Sequence, residues 1–373
     1  NEKDINNLKI LLANEATKIL HGEKKSNEAE NTAKETFAGS GVGQGIMKSL
    51  RASELDLEVH SADISATNCA LYVADGRWII PKVEEKGALE KIIELLRNQK
   101  FSAVMIGSEF DLNFFSQNKE KIEKDSGCLV VASCENTVSI SDDKFKTFQF
   151  LKEHGLAHAE AIAPSNCEEA LLVASKWGYP MVLKTRTGTS NRHVHVISSE
   201  EELKKIYPTV PNPMCQELVD LPRTDLSNEY TCSVFRCANG DLLGPFTARR
   251  TLKAGSSWLI EVKEFPELEP LMKGIADKLD IMGSLNVQLM IGKKGPVPFE
   301  FNARFSGTTA VRAHFGFNEP DMLIRSYLLN EEISKPVIRK GMAFRYLEEV
   351  FLEDVDEASL DKFSGKGLVR QWF

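Results

Sequence analysis

The sequence has no excess of basic residues: 46 lysines and arginines face 54 aspartates and glutamates, a formal net charge of −8. Affinity for nucleic acid rests on basic surface, so nucleic acid is disfavoured as the main partner, while a local basic pocket for a nucleotide stays open. No apolar run approaches the length of a membrane span, and no basic-then-apolar leader opens the chain, so no membrane partner is expected. No C-x-x-C pair occurs among the seven cysteines, Cys69, Cys128, Cys134, Cys167, Cys215, Cys232 and Cys237, which are odd in number and scattered. That pattern fits free or buried thiols in a reducing cytoplasm rather than disulfides or zinc. Internal repeats are absent. The chain begins at Asn1 rather than methionine, as a fragment would.

What is present is ordinary for a globular protein. The 373 residues are 42% hydrophobic and 27% charged, enough for two or three domains that each bury a core. The oligomeric state is not written in the sequence, and a homo-oligomer is compatible with it.

The richest stretch is Pro298-Phe-Glu-Phe-Asn-Ala-Arg-Phe-Ser-Gly-Thr-Thr-Ala-Val-Arg312. On a strand, Glu300, Asn302 and Arg304 share one face, and Phe299 and Phe301 the other. A carboxylate, an amide and a guanidinium together suit a metal-bound phosphate: hard cations such as Mg²⁺ take oxygen ligands, and a guanidinium neutralises the oxygens left over. A strand with a solvated polar face and a surface ion pair is the plainer alternative. Residues 283–290 read as a strand carrying Gln288, and the hairpin at 291–296 returns it beside Glu300. Gln288 and Glu300 could therefore meet at one cation.

Upstream, residues 1–37 read as helix, with Leu8, Leu11, Leu12, Ala16 and Ile19 at helical spacing. Gly39-Ser-Gly-Val-Gly-Gln-Gly45 reads as a glycine-rich turn entering a helix. Since the strand expected before such a turn is missing, a structural turn is favoured over a dinucleotide site. Strands at 55–63, 78–81 and 103–107 alternate with a helix at 89–97, implying a parallel, Rossmann-like sheet. Asp63, Ser108, Glu109 and Asp111 fall at strand ends, where ligands of open α/β sheets bind; solvated loop polars read equally well.

From Ser141 the character changes. Helices at 146–154 and 167–177 precede a strand at 181–185 carrying Lys184, and the small-residue loop 186–192 follows with two cations. A lysine feeding such a loop is a reasonable phosphate clamp. Residues 214–219 form a short strand with Glu217 and Val219. In the next, at 229–235, alternation puts Glu229, Thr231 and Ser233 on one face. A strand at 244–248 runs into the basic, glycine-containing segment 249–257 with Arg249 and Lys253. Helices are expected at 268–279 and 323–330, and a last strand within 341–352.

In order and spacing, Lys144, Lys184, Gln216-Glu-Leu-Val219, Glu229-Tyr-Thr231, Gln288 and Glu300-Phe-Asn302-Ala-Arg304 resemble the ATP-grasp superfamily. The likeness is greatest to the synthetase halves of the carbamoyl phosphate synthetase large subunit and similar stand-alone ligases, over residues 39–345. It implies a fold that is α/β and α+β: a helical segment at 1–37, a Rossmann-like pre-ATP-grasp domain at 38–140, an ATP-grasp domain at 141–352 and an unassigned tail at 353–373.

The resemblance also implies cofactors and roles. ATP and Mg²⁺, with Mn²⁺ as an alternative, would be bound. Lys144 and Lys184 would contact ATP, Glu217 and Val219 the adenine, and Glu229 the ribose. Gln288, Glu300 and Asn302 would hold the metal, and Arg304 the phosphoryl group. Arg249, Lys253, Ser306 and Arg312 would touch the substrate or the γ-phosphate. The implied partners are a small-molecule carboxylate and an amine, joined as an amide through an acylphosphate. An ATP-binding module without catalysis is the alternative from another class. Residues 12–23 and 32–37 are similar to the helical segment after the catalytic domain of bacterial tyrosyl-tRNA synthetases, so a fusion with residual RNA association is a third reading.

Overall fold

The computed structural model describes residues 41–188, 193–221, 228–253, 255–346, 350–352, 355–356 and 359–360. The expected helix at 1–37 lies outside them, as do residues 189–192 of the small-residue loop and most of the tail.

Four short strands in the first part form two parallel pairs: β1 (His60–Asp63) with β2 (Gly76–Ile79), and β3 (Ala103–Met105) with β4 (Leu129–Val131). Helix Ala88–Gln99 turns Ile92, Ile93 and Leu96 onto Ile106 and Val130, because these apolar residues recur on one helical face. The first expected strand is shorter than the apolar pattern, starting at His60 rather than residue 55.

The glycines are not a turn. Gly41, Gly43 and Gly45 lie inside a helix over residues 41–51. A Cβ on Gly107 would stand 3.0 Å from the Cα of Gly43, and one on Gly45 would stand 3.5 Å from the Ser306 carbonyl oxygen. The close approach requires the glycine at 107, whereas an added Cβ would meet nothing within 4 Å at Gly41 or Gly43 and only ordinary contact at Gly45; a glycine inside a helix costs up to about 1 kcal/mol.

A second sheet takes β5 (Ala161–Ile162), β6 (Met181–Thr185), β7 (Val194–Ile197) and β8 (Pro213–Glu217) in the order β5-β8-β6-β7, every neighbour antiparallel. Met181, Leu183, Ile197 and Cys215 pack with Ala170, Val173 and Leu203 from two helices. Alternation along β6 sends Lys184 to the opposite face.

The third sheet has six strands. They are β9 (Glu229–Arg236), β10 (Leu242–Lys253), β11 (Ser256–Val262), β12 (Gly283–Gly292), β13 (Gly295–Asn302) and β14 (Gly341–Phe344), ordered β13-β12-β9-β10-β11-β14. Cys232, Val234, Leu285, Val287 and Phe301 bury one face against Leu271, Met272 and Ile275 of helix Glu269–Ala276 and against Phe150 and Leu151 of helix Lys144–Glu153. The register pairs Gln288 with both Glu300 and Thr231, and Asn286 with both Asn302 and Ser233. The polar residues of three strands thereby share the other face.

Three further expectations change. The basic segment after residue 248 is strand: β10 runs through Lys253 and pairs with β11. The helix expected at 268–279 is a 3₁₀ turn, Pro266–Leu268, leading into Glu269–Ala276. The helix expected at 323–330 begins at Glu319 and widens to a π-helical turn over Ile324–Leu328.

Candidate active site

The polar face converges on one carboxylate. Glu300 Oε1 accepts from Gln288 Nε2 at 2.8 Å and from Asn302 Nδ2 at 3.1 Å. Gln288 Oε1 accepts in turn from Arg250 Nη2 at 2.6 Å, which also donates to Glu229 Oε1 at 2.6 Å. The sequence reading passed over Arg250 for its neighbour, although period-two alternation would have found it. Ala248 pairs with Thr231 and Arg249 with Tyr230, so Arg250 stands beside Glu229 on the polar face. Arg249 points to the other face and binds Glu261, with Nη2 to Oε2 at 2.6 Å.

These residues meet the requirements of a hard cation in one specific respect. The Asn302 Oδ1 oxygen is buried and, among the described residues, has no hydrogen-bond donor. Among the described residues no three His, Cys, Asp or Glu gather at a metal-binding spacing. The donor set is instead one carboxylate and two amides, all oxygen donors on adjacent strands, which fits Mg²⁺ sharing its shell with phosphate.

Two lysines from other elements complete the positive side. Burial pushes the Lys184 ammonium down to about 8, the charge of Lys144 pushes the same way, and Glu300 partly offsets both. No hydrogen-bond or ion-pair partner for it is found among the described residues. Lys144 opens helix Lys144–Glu153, which Asp143 caps by accepting from the N–H groups of Phe145 and Lys146. Arg186 holds the same Asp143 through Nη2 at 2.5 Å, and Lys144 Nζ donates to the Gly188 carbonyl at 2.7 Å. The start of the expected phosphate loop is thus tied to the helix N-terminus.

Glu217 ends β8 at the surface, and its N–H donates to the Glu160 carbonyl at 2.9 Å. Val219 lies on the link from β8 to the six-stranded sheet, packed so closely that a Cβ on Gly292 would meet it at 2.7 Å. Arg304 is not on the strand, which ends at Asn302. It reaches from the following segment to Glu109, with Nη2 to Oε1 at 2.9 Å, while its buried Nε has no partner among the described residues. Of the four early polar residues, Glu109 is therefore brought to the site; Asp63 instead accepts from Ser65 N and Asn68 Nδ2 within its own loop. A shallow surface depression at this junction is lined by Glu109, Asn113, Asp142, Asn302 and Arg304, among others. The Asp142 carboxyl is pushed up by burial and then by the charge of Glu109.

The remaining expected contacts are elsewhere. Arg312 is fully enclosed, paired with Glu319 at 3.1 Å and bonded to the side chains of Thr231 and Asn286, so it is sealed against a buried part of the polar face and does not reach solvent. Ser306 is buried in a turn against Thr308. The Lys253 ammonium sits 4.4 Å from the centre of the Trp258 ring.

The six-stranded antiparallel sheet presents the carboxylate–amide cluster, and the four-stranded one carries Lys184, which feels the charge of Glu300. Residues 226–350 match the family described as ATP-grasp in the biosynthetic pathway with Ter operon, and residues 38–131 the family described as PylC-like, N-terminal domain. The chain has an ATP-grasp fold. An N5-carboxyaminoimidazole ribonucleotide synthetase solved with ADP superposes with a TM-score of 0.66 at 19% identity, covering 82% of this chain and 79% of that one. The biotin carboxylase domain of Hydrogenobacter thermophilus 2-oxoglutarate carboxylase, solved with MgADP and bicarbonate, gives 0.66 at 16% identity over 91% and 82%.

Among curated ATP-grasp relatives, the carbamoyl phosphate synthase large chain of Sulfurisphaera tokodaii is 23% identical over 288 residues. The match covers 72% of this chain and 27% of that one, so the chain spans about a quarter of the length of that relative. The carbamoyl-phosphate synthase of Methanobrevibacter smithii is 23% identical over 71% of this chain and 68% of its own. A tyrosine–tRNA ligase of Pelagibacter ubique is 47% identical over 45 residues, 12% of this chain. No helix among the described residues is long and apolar enough to cross a membrane.

Proposed function

We propose that the chain is an ATP-dependent carboxylate–amine ligase. The observation that carries this reading is the convergence of Gln288, Glu300 and Asn302 on one carboxylate oxygen, with Lys184 close enough to feel the charge of Glu300. In this reading Gln288, Glu300 and Asn302 hold Mg²⁺. The bound ion supplies charge neutralisation to the phosphate oxygens.

The side chains do the rest. Lys184 and Lys144 hold the ATP phosphates, and the uncompensated ammonium of Lys184 is stabilised once a phosphate reaches it. The β8 end at Glu217 and the link at Val219 take the adenine, and Glu229, with Arg250 fixing its carboxylate, takes the ribose. Arg304 holds the transferring phosphoryl group. A carboxylate is a poor electrophile. Transfer of the γ-phosphoryl group to it gives an acylphosphate, whose C–O bond an amine then breaks with loss of phosphate to form the amide. The protein's share is positioning and charge neutralisation. Arg312, with Glu319, acts by fixing the side chains of Asn286 and Thr231.

The test is ADP release from Mg²⁺-ATP by the purified protein against a panel of amino acids, small carboxylic acids and amines. Substrate-dependent release, lost in Glu300→Ala, is the expected result. ATP binding without turnover across the whole panel would overturn the ligase reading in favour of a binding module.

A further inference from the structure

Both amides beside Glu300 turn their NH₂ groups towards it. Gln288 Nε2 and Asn302 Nδ2 donate to Glu300 Oε1 at 2.8 and 3.1 Å, so two donors occupy the oxygen that a cation would take. The amide oxygens point away and differ in what they meet. Asn302 Oδ1 has no donor among the described residues, whereas Gln288 Oε1 accepts from Arg250 Nη2 at 2.6 Å.

That last bond crosses the sheet. β9 lies between β10 and β12, so the Arg250 side chain spans two strand spacings, roughly 10 Å, to reach the Gln288 oxygen. Its other bonds aim it there: Nε and Nη2 donate to Glu229 Oε1 at 3.1 and 2.6 Å, and Nη1 donates to Ser257 Oγ at 3.0 Å. On the far side of Gln288 the β12–β13 register shifts between Gln288 and Leu289, and an irregularity of this kind re-aims the side chain beside it.

A glutamine amide carries its acceptor on one side and its donors on the other. With Arg250 on one side of Gln288 and Glu300 on the other, one orientation satisfies both, the carbonyl to the guanidinium and the NH₂ to the carboxylate. The reverse orientation would set N–H against N–H and oxygen against oxygen. A cation on Glu300 inverts this preference, because it repels the NH₂ end and attracts the carbonyl, and hard cations take oxygen ligands.

We infer that Arg250 is a positioning residue for the metal: it holds the Gln288 carbonyl away from the cation position in the free protein, and the amide turns over when the cation binds. This rests on the metal set proposed above and adds its regulation. The bond to Arg250 opposes cation entry. Once the amide has turned, Arg250 Nη2 is left to Glu229 alone, so the metal and nucleotide halves of the site are joined through one guanidinium nitrogen.

The experiment is titration of the full chain with Mn²⁺, read from the electron paramagnetic resonance signal of the free ion. Wild type is compared with Arg250→Ala, Gln288→Ala and the double variant, and Glu300→Ala shows which binding belongs to this site. Nucleotide is left out, because Arg250 also holds Glu229. Arg250→Ala should bind Mn²⁺ about tenfold more tightly than wild type, the scale of one hydrogen bond to a charged group, and the gain should vanish when Gln288 is alanine. Repulsion between guanidinium and ion would give the same gain in both backgrounds, and a purely structural arginine would give a loss. Either result overturns the inference, as does unchanged affinity in Arg250→Ala. A second measurement needs no substitution at Arg250: in ¹⁵N-labelled wild type, the side-chain amide signal that Gln288→Ala lacks should shift on saturation with Mg²⁺, and an unmoved signal also overturns the inference. Mn²⁺ binding that is undiminished in Glu300→Ala, or absent from both wild type and Arg250→Ala, overturns the metal set itself, and this inference with it.

Discussion

Gln288 Nε2 donates to Glu300 Oε1 at 2.8 Å across the β12–β13 pair, and this contact fixes the carboxylate between two amides. Replacing Glu300 by alanine takes away the one acid of the proposed metal set. Mg²⁺-dependent ADP release should fall by about a hundredfold or more, the scale seen when a group stabilising transition-state charge is lost. Circular dichroism should be unchanged, because the side chain is not part of either core.

Arg249 and Arg250 are adjacent and face opposite ways, so substituting them separates two roles. Arg250→Ala should weaken MgATP binding about tenfold, since it leaves Glu229 and Gln288 without their shared donor. Arg249→Ala breaks a partly exposed pair with Glu261 and should cost about 1 kcal/mol or less, with ATP affinity retained. Equilibrium dialysis and urea denaturation check the two halves of this expectation.

Lys184 links nucleotide binding to pH. Its ammonium is at about 8 in the free protein, and an anionic phosphate favours the charged form, so binding near pH 8 takes up a proton. MgATP affinity should fall as pH rises through 8. Titration calorimetry in buffers of different ionisation enthalpy measures the uptake directly. Without nucleotide, the folded chain holds fewer protons on Lys184 than the unfolded chain between about pH 8 and the ordinary lysine value of 10.5, so stability rises with pH across that window. Lys184→Met should abolish both the proton uptake and this share of the pH-dependent gain.

Arg312 and Glu319 are both fully buried, and Glu319 also accepts from Ser233 and Ser284. Removing one partner leaves an uncompensated charge in the interior. Arg312→Met or Glu319→Gln alone should each lower unfolding stability by about 3–5 kcal/mol, and the double variant by less than the sum. Urea midpoints for the three variants test this.

The sequence by itself determined the strands with strict alternation and the site residues they carry. Glu229, Thr231 and Ser233, and then Glu300 and Asn302, were placed on common faces because a period of two leaves each strand one choice once its apolar side is buried. Helix Cys167–Trp177 and strand Met181–Thr185 were legible to the residue, since Asn166 caps the helix and Gly178 ends it. Local pattern did not carry the rest. Gly41, Gly43 and Gly45 read as a turn, yet they lie inside a helix, which glycine spacing alone does not announce. Arg249 and Arg250 are the same residue type side by side, and β9 and β11, from elsewhere in the chain, decide which of them meets Glu229. Arg312 and Arg304 are eight positions apart in one segment, yet one is sealed in the interior against Glu319 and the other reaches Glu109. Burial and counter-ions are properties of what surrounds a charge, and those surroundings come from residues far away in sequence, so only the tertiary structure could assign them.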